Sequence, residues 1–410
     1  MRNLKPVLFL FLISLQFISI NGQKRPELAP YPPMGWNSWN WFGKKEINEQ
    51  TVREVIDAIV GNGLKDAGYN YVIVDGGWRD VKLDPEGRLV AHPVKFPHGI
   101  KALADYAHSK GLKFGVHVVP GTLDCGGDAV GGFGREELHL SQFVEWGLDF
   151  VKLDLCRQTA DPCTSCEKTS GGWSEQTIKD TYTKWSRLLA GCGRDMIFSI
   201  SAYRFRDWNP EVCNMSRTTY DIQCRINKEG AVFDKPDRSN TNYLSVMAAA
   251  MNNDLSAKYA GNGYWNDPDM MVTGNQGLSQ AEQESHFGLW CIMSSPLFLG
   301  NDPRIMDDFE KKLVTNREAI AVNQDPAEQG RLVKDEDNCQ IWMKKLSDGK
   351  VAYLLLNTDP EKKKDLVLNL NSRKKVVIRD ILNNEDLGKF RKSINRPLAP
   401  HSCSLLIVSS

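Results

Sequence analysis

The 410-residue chain has no surplus of either charge, since 51 Lys and Arg balance 51 Asp and Glu. Nucleic-acid binding draws on a basic surplus to displace counterions, so a polyanion partner is not expected. Apart from one N-terminal stretch there is no long apolar run, and no membrane span is expected. Histidine is scarce, at seven residues, and none stands in an HExxH or HxH pattern. Metal-assisted hydrolysis therefore lacks a ligand set. No GxGxxG follows the first strand-like run, which removes the dinucleotide fingerprint. Neither a metal nor a cofactor is expected. Hydrophobic residues at 41% and charged residues at 25% are ordinary for a globular chain, so wholesale disorder is excluded as well.

What is present begins with a targeting segment. Arg2 and Lys5 precede an apolar stretch over 7–18 that is broken only by Ser14 and Gln16. Small or polar residues at 19–22 then suit cleavage near Gln23. Residues 1–22 read as a signal peptide, and the mature protein is expected to be exported, to a periplasm, the medium or a lysosome. All ten cysteines lie beyond it. In an oxidising compartment an even number favours disulfides. Cys163-x-x-Cys166 has no second CxxC or His pair beside it, so a bridge outranks half a zinc site. Asn214-Met215-Ser216 is a glycosylation sequon of a kind common by chance.

From residue 30 onward, strand-like runs at 71–74, 112–119, 150–153, 196–200 and 294–299 alternate with helical patterns at 52–67, 99–110, 136–146 and 174–189. Strands this apolar belong to a parallel sheet covered on both faces. About 290 residues of such alternation fit an eightfold (β/α)8 barrel better than an open doubly wound sheet. Asp75, Asp154 and Asp221 then fall just past strand ends, where barrels carry their active sites. After Asn323-Gln324-Asp325-Pro326 the pattern changes to short alternating runs at 340–345, 351–356, 365–370, 375–382 and 404–408. These predict a C-terminal antiparallel β-sandwich. The expected division is 1–22 signal peptide, 23–326 barrel and 327–410 sandwich. Cys339 and Cys403 bracket the sandwich, so a staple between them is expected. The small domain reads as a packing appendage rather than a carbohydrate binder.

Three windows carry the chemistry: Met34-Gly35-Trp36-Asn37-Ser38-Trp39, Val151-Lys152-Leu153-Asp154 and Trp265-Asn266-Asp267-Pro268-Asp269-Met270. With Phe96-Pro97-His98-Gly99, the 294–298 segment and Asn323-Gln324-Asp325-Pro326, in this order, the chain resembles the α-galactosidase and α-N-acetylgalactosaminidase family, glycoside hydrolase family 27. The resemblance implies a barrel followed by a sandwich, and an exo-acting retaining glycosidase that uses two aspartates and a carbohydrate substrate. It implies Asp154 as nucleophile, Asp221 as general acid/base and Arg217 as a substrate contact. It also implies Trp39, Asp75, Asp269 and Met270 as pocket residues, Asp267 as a loop anchor, and a Cys125–Cys156 bridge beside the nucleophile. Cys213 lacks a partner at the family's usual place, and a homodimer stays open.

The chemistry is also legible without the family. Retaining hydrolysis needs one carboxylate to attack the anomeric carbon and another to protonate the leaving oxygen, with the pair about 5–5.5 Å apart. Lys152 shares a strand face with Asp154 because the side-chain period is two. A cation there is expected to keep the nucleophile ionised while binding a sugar hydroxyl.

Departures from the family concern the sugar. Galactosidases carry Asp-Asp-Cys-Trp where this chain has Asp75-Gly76-Gly77-Trp78, and the missing carboxylate would read the hydroxyls at C4 and C6. His117 replaces a common Tyr. Ser201 stands where galactosidases carry Glu and α-N-acetylgalactosaminidases carry Ser, yet Arg204 is not the small residue an acetamido pocket prefers. The expected activity is release of terminal α-D-galactosyl units. The alternatives are the same mechanism on an α-N-acetylgalactosaminide, β-L-arabinopyranoside, α-glucoside or O6-modified galactoside, or an inactive sugar-binding protein.

Overall fold

The computed structural model describes residues 25–160, 172–222, 225–227, 230–232, 242–274, 277–370 and 372–409. The signal-peptide segment, Cys163, Cys166 and Cys224 lie outside the described residues.

The barrel strands β1 (Met34–Asn37), β2 (Tyr71–Val74), β3 (Lys113–Val118), β4 (Phe150–Asp154), β5 (Ile197–Ser201) and β6 (Met215–Arg217) follow in sequence. Two short strands, β7 (Arg225–Asn227) and β8 (Gly230–Val232), form an antiparallel hairpin outside the barrel. The chain then returns for β9 (Trp265–Asp267) and β10 (Leu297–Leu299). All eight barrel strands are parallel, in the order β10-β1-β2-β3-β4-β5-β6-β9. The ring closes just past β9, where the Met271 amide donates to the Phe298 carbonyl at 2.7 Å and the Gly300 amide to the Met271 carbonyl at 2.8 Å.

Period-two alternation divides each strand. Val72, Val74, Phe114, Val116, Val151, Leu153, Phe198 and Ile200 point outward beneath the helices. Tyr71, Ile73, Phe150, Ile197, Met215, Trp265 and Phe298 point inward and fill the lumen. The same inward rows continue upward through His117, Lys152, Asp154, Ser201 and Arg217, so the rule that packs the floor delivers polar groups to the mouth. Room for the floor rings comes from a missing side chain. A Cβ at Gly115 would lie 2.5 Å from the Phe150 carbonyl oxygen.

The expected helix at 52–67 is two pieces, Glu49–Gly61 and Leu64–Ala67, parted at Gly63 with φ +88°. Its start is fixed by Asn48, whose side chain accepts the Thr51 amide. Gly99–Ser109, Glu136–Trp146 and Glu175–Gly191 match the other patterns closely. Gln280–Ile292 was not legible as a helix, because it is buried on nearly every side and has no polar stripe.

In the C-terminal region β11 (Arg331–Glu336), β12 (Cys339–Lys345), β13 (Val351–Asn357), β14 (Lys364–Asn369), β15 (Val376–Asp380), β16 (Glu385–Phe390), β17 (Ser393–Leu398) and β18 (Cys403–Ser409) make a sandwich. A sheet of order β11-β12-β13-β18-β15-β16 faces the pair β14–β17. Ile341, Leu355, Leu366, Leu368, Ile378, Ile394 and Leu406 form its own core. Trp342, Leu354, Leu356 and Leu405 on the other face belong to the barrel's core, against helix Gln280–Ile292. The buried Lys344 ammonium donates to the Asp325 carbonyl at 2.8 Å and to Ser294 Oγ, tying the two bodies together.

One expectation is corrected. Cys339 and Cys403 are thiols, not a staple. Cys339 pairs with Asn357 and Cys403 with Leu356, on opposite sides of β13. Two strand spacings put them about 9–10 Å apart, beyond the ~7 Å Cα limit of a disulfide, and neighbouring positions on β13 face opposite ways. Asn214 is buried, and its side-chain amide donates to the Arg25 and Gly263 carbonyls at 3.0 and 3.2 Å. It offers no glycan acceptor in the folded chain.

Candidate active site

A cavity of about 170 Å³ opens at the C-terminal end of the barrel strands. Trp39, Asp75, Lys152, Asp154, Ser201, Arg217, Asp221 and Asp269, each anticipated from sequence, all line it, with His117 and Met270. Asp154 is the last residue of β4 and Asp75 immediately follows β2. Asp221 sits farther out, four residues past β6, rather than at the strand end itself.

Asp154 is buried. Its Oδ2 accepts from the Tyr203 hydroxyl at 3.3 Å and lies 3.4 Å from His117 Nε2. Burial pushes this carboxyl up. The hydrogen bond and charge of His117, the charge of Lys152 and the Ser201 hydroxyl outweigh burial and hold it below the usual carboxylate range. The Cys125–Cys156 disulfide implied by the resemblance is formed, and its sulfurs lie 3.5 and 3.4 Å from the same oxygen. Neither sulfur carries a hydrogen, so these contacts are packing that fixes the loop after β4.

Lys152 does not bond to Asp154. Its ammonium lies 2.7 Å from Asp75 Oδ2. Asp75 also accepts from Asn37 Nδ2 at 3.0 Å and from the Gly76 amide at 2.8 Å. Burial raises the Asp75 carboxyl, but Lys152 and His117 hold it well below the ordinary range. Burial likewise works against charge on Lys152, and Asp75 and Asp154 raise it above the usual lysine value.

Across the mouth, Arg217 Nη1 is shared between Asp221 Oδ1 at 3.0 Å and Asp269 Oδ1 at 3.2 Å. Asp269 adopts φ +95° and accepts the Ile222 amide at 2.8 Å. Burial, with the negative charges of Asp221 and Asp267, overcomes Arg217 and pushes it up to about 6. Asp267 anchors the turn by accepting the Asp269 amide at 2.9 Å. Asp221 is the open member of this side, with its side chain 39% exposed. Desolvation raises the hydroxyl of half-buried Tyr203 well above the usual tyrosine value, and the negative charges of Asp154 and Asp221 raise it further.

Sequence reasoning missed Tyr203, Arg79, Asp124, Lys44 and Asn40, all of which line the same cavity. Arg79 and Asp124 lie in loops after β2 and β3, where the barrel rule alone marks every polar residue as a candidate. Tyr203 takes a left-handed φ of +58°, which no local pattern predicts for a tyrosine.

A family model described as alpha galactosidase A matches residues 31–325, and one described as the alpha galactosidase C-terminal beta sandwich domain matches residues 336–408. Alpha-galactosidase 2 of Arabidopsis thaliana is 35% identical over 415 aligned positions, covering 98% of this chain and 96% of the relative. Alpha-galactosidase of Cyamopsis tetragonoloba is 36% identical, covering 93% of this chain and 87% of the relative. Among solved structures, alpha-galactosidase I from Mortierella vinacea superposes with a TM-score of 0.80 at 28% identity, covering 94% of this chain and 98% of that one.

Proposed function

The chain belongs to the α-galactosidase family, glycoside hydrolase family 27, and we propose that it is an exo-acting retaining enzyme that releases terminal α-D-galactosyl units by double displacement. It is a glycoside hydrolase with a (β/α)8 barrel and a C-terminal β-sandwich. The observation that carries the mechanistic reading is that Asp154 and Asp221 line one cavity with room for a single sugar ring. A closed end of this size favours cleavage from the chain terminus.

In the first step an Asp154 oxygen attacks C1 and forms a glycosyl ester. The C1–O bond breaks, and Asp221 gives its proton to the departing oxygen. In the second step Asp221 takes a proton from water, the water oxygen attacks C1 from the face the aglycone left, and Asp154 is released as carboxylate. Two inversions leave the α-anomer. A depressed nucleophile stays ionised at neutral pH, and the 39% exposure of the Asp221 side chain suits a group that meets both leaving group and water. Lys152, paired to Asp75, fixes the hydroxyl-binding end, and Trp39 supplies an apolar wall. Arg217 and Asp269 complete the pocket, and Ser201 lines it at the end of β5.

The test is proton NMR of p-nitrophenyl α-D-galactopyranoside hydrolysis. The first sugar formed is expected to be α-galactose. First-formed β-galactose would refute retention, and no release would refute the galactosyl reading. Gly76 keeps a second reading in play, the same mechanism on another sugar, which aryl glycosides of N-acetylgalactosamine, L-arabinopyranose and glucose discriminate. The N-terminal pattern at 1–22 supports export. Sedimentation of the mature chain decides between monomer and homodimer.

A further inference from the structure

The cavity holds two cations that the proposed mechanism does not use, Lys44, which is paired with Asp128, and Arg79. Arg79 follows Trp78 in the loop after β2, and its side chain is 5% exposed. Its ion-pair partner, Asp124 Oδ2, stands 3.6 Å from Nη2, past hydrogen-bond length. Nη1 has no hydrogen-bond partner among the described residues. The Asp124 carboxylate is itself engaged, with Oδ1 accepting the Asp128 amide at 2.9 Å, and Asp128 is paired with Lys44 at 2.8 Å. Burying a guanidinium with a donor unmet is costly, and Arg79 forms part of the cavity wall.

The same loop carries no side chain at Gly76, where the Trp39 ring packs instead. A Cβ at Gly76 would meet only the Trp39 ring, at 3.2 and 3.7 Å. Thus neither a side chain nor a carboxylate projects at this position. The two acids on that side are already engaged, Asp124 by Arg79 and the Asp128 amide and Asp75 by Lys152. Position in the ring assigns the part of the sugar that enters. In the strand order, β2 lies four strands from β6, whose loop carries Asp221. The leaving group must sit by Asp221, so the β2 side receives the substituents most remote from the anomeric carbon.

The geometry points to a terminal α-galactoside whose exocyclic carbon carries an anionic oxygen group, a C6 carboxylate or a 6-O-sulfate ester, bound by Arg79 at the cavity wall. This rests on the galactosidase reading and narrows it. A guanidinium presents paired donors that match carboxylate and sulfate oxygens, which a lone hydroxyl cannot use fully.

The test compares kcat/KM for p-nitrophenyl α-D-galactopyranoside, its 6-O-sulfate and p-nitrophenyl α-D-galacturonide. At least one anionic substrate is expected to exceed the neutral one by about tenfold or more, as charge-assisted hydrogen bonds imply. Which one does so identifies the source of the charge. Arg79→Met should bring the anionic-to-neutral ratio to about one or below, with Arg79→Lys intermediate because it keeps the charge and loses the fork. Hydrolysis of the neutral glycoside with neither anionic one preferred overturns this inference and leaves the galactosidase reading intact. A ratio unchanged in Arg79→Met also overturns it. Failure to cleave any of the three overturns the galactosidase reading itself.

Discussion

Lys152 reaches from β4 across the top of β3 to place its ammonium 2.7 Å from Asp75 at the end of β2. The cation that the strand periodicity assigns to Asp154 is therefore bonded to the residue two strands away. Asp154 receives its contacts from His117 and Tyr203 instead. Lys152 acts on Asp154 through its field, and on Asp75 through a bond.

Removing one partner of that buried pair strands the other. Lys152→Met should cost about 3–5 kcal/mol in a urea unfolding experiment. The double variant Lys152→Met/Asp75→Asn should recover much of that stability without recovering activity. A single variant as stable as the parent would show that the pair is not buried as described.

Tyr203 donates to Asp154 Oδ2 from a backbone conformation that is costly for its residue type. Tyr203→Phe keeps the ring and loses the donor. It should lower kcat about tenfold with little change in KM, the scale of one hydrogen bond to a charged group. An effect confined to KM would mean that Tyr203 serves binding rather than the nucleophile.

The Cys125–Cys156 bridge closes the loop after β4 against that after β3. Cys125→Ser/Cys156→Ser should lower stability by about 2–4 kcal/mol and lower activity as well, because the sulfurs pack on Asp154 Oδ2. Thermal unfolding and steady-state rates check both parts. Lost stability with full activity would separate the bridge from catalysis.

Away from the mouth, Glu310 is pushed up to about 7, chiefly by burial and further by the charges of Asp307 and Asp302, against a hydrogen bond from Asn301. An unfolded glutamate titrates near ~4.3. A raised carboxyl contributes stability that is full below the unfolded value and is lost as pH rises through the folded one. The melting temperature of Glu310→Gln should thus gain on the parent between pH 5 and pH 8. Parallel curves would contradict the raised value.

Much of this architecture is legible in the sequence because apolar strands and amphipathic helices alternate plainly from 71 to 200. Asp154 follows directly from such a strand. Asp221 does not. The three-residue β6 is too short to register, and the loop beyond it was located by motif rather than by periodicity. In the sandwich, β11 and β16 escaped detection because most of their residues face solvent, and β17 because Arg396 and Pro397 interrupt the alternation between buried Ile394 and Leu398. The Cys339–Cys403 expectation failed because bracketing in sequence says nothing about which strand lies between. Arg79 and Asp124 were passed over for a different reason: a polar residue in a loop carries no pattern until the barrel brings that loop to the cavity.

The most direct test of the two-aspartate mechanism is to capture its covalent intermediate. The enzyme would be mixed with a fluorinated α-galactosyl fluoride that reacts quickly and turns over slowly, then quenched, digested and mapped by mass spectrometry. The account predicts one sugar ester on the peptide that contains Asp154, and none in Asp154→Asn. An ester on another residue, or steady turnover with no adduct at all, would contradict it.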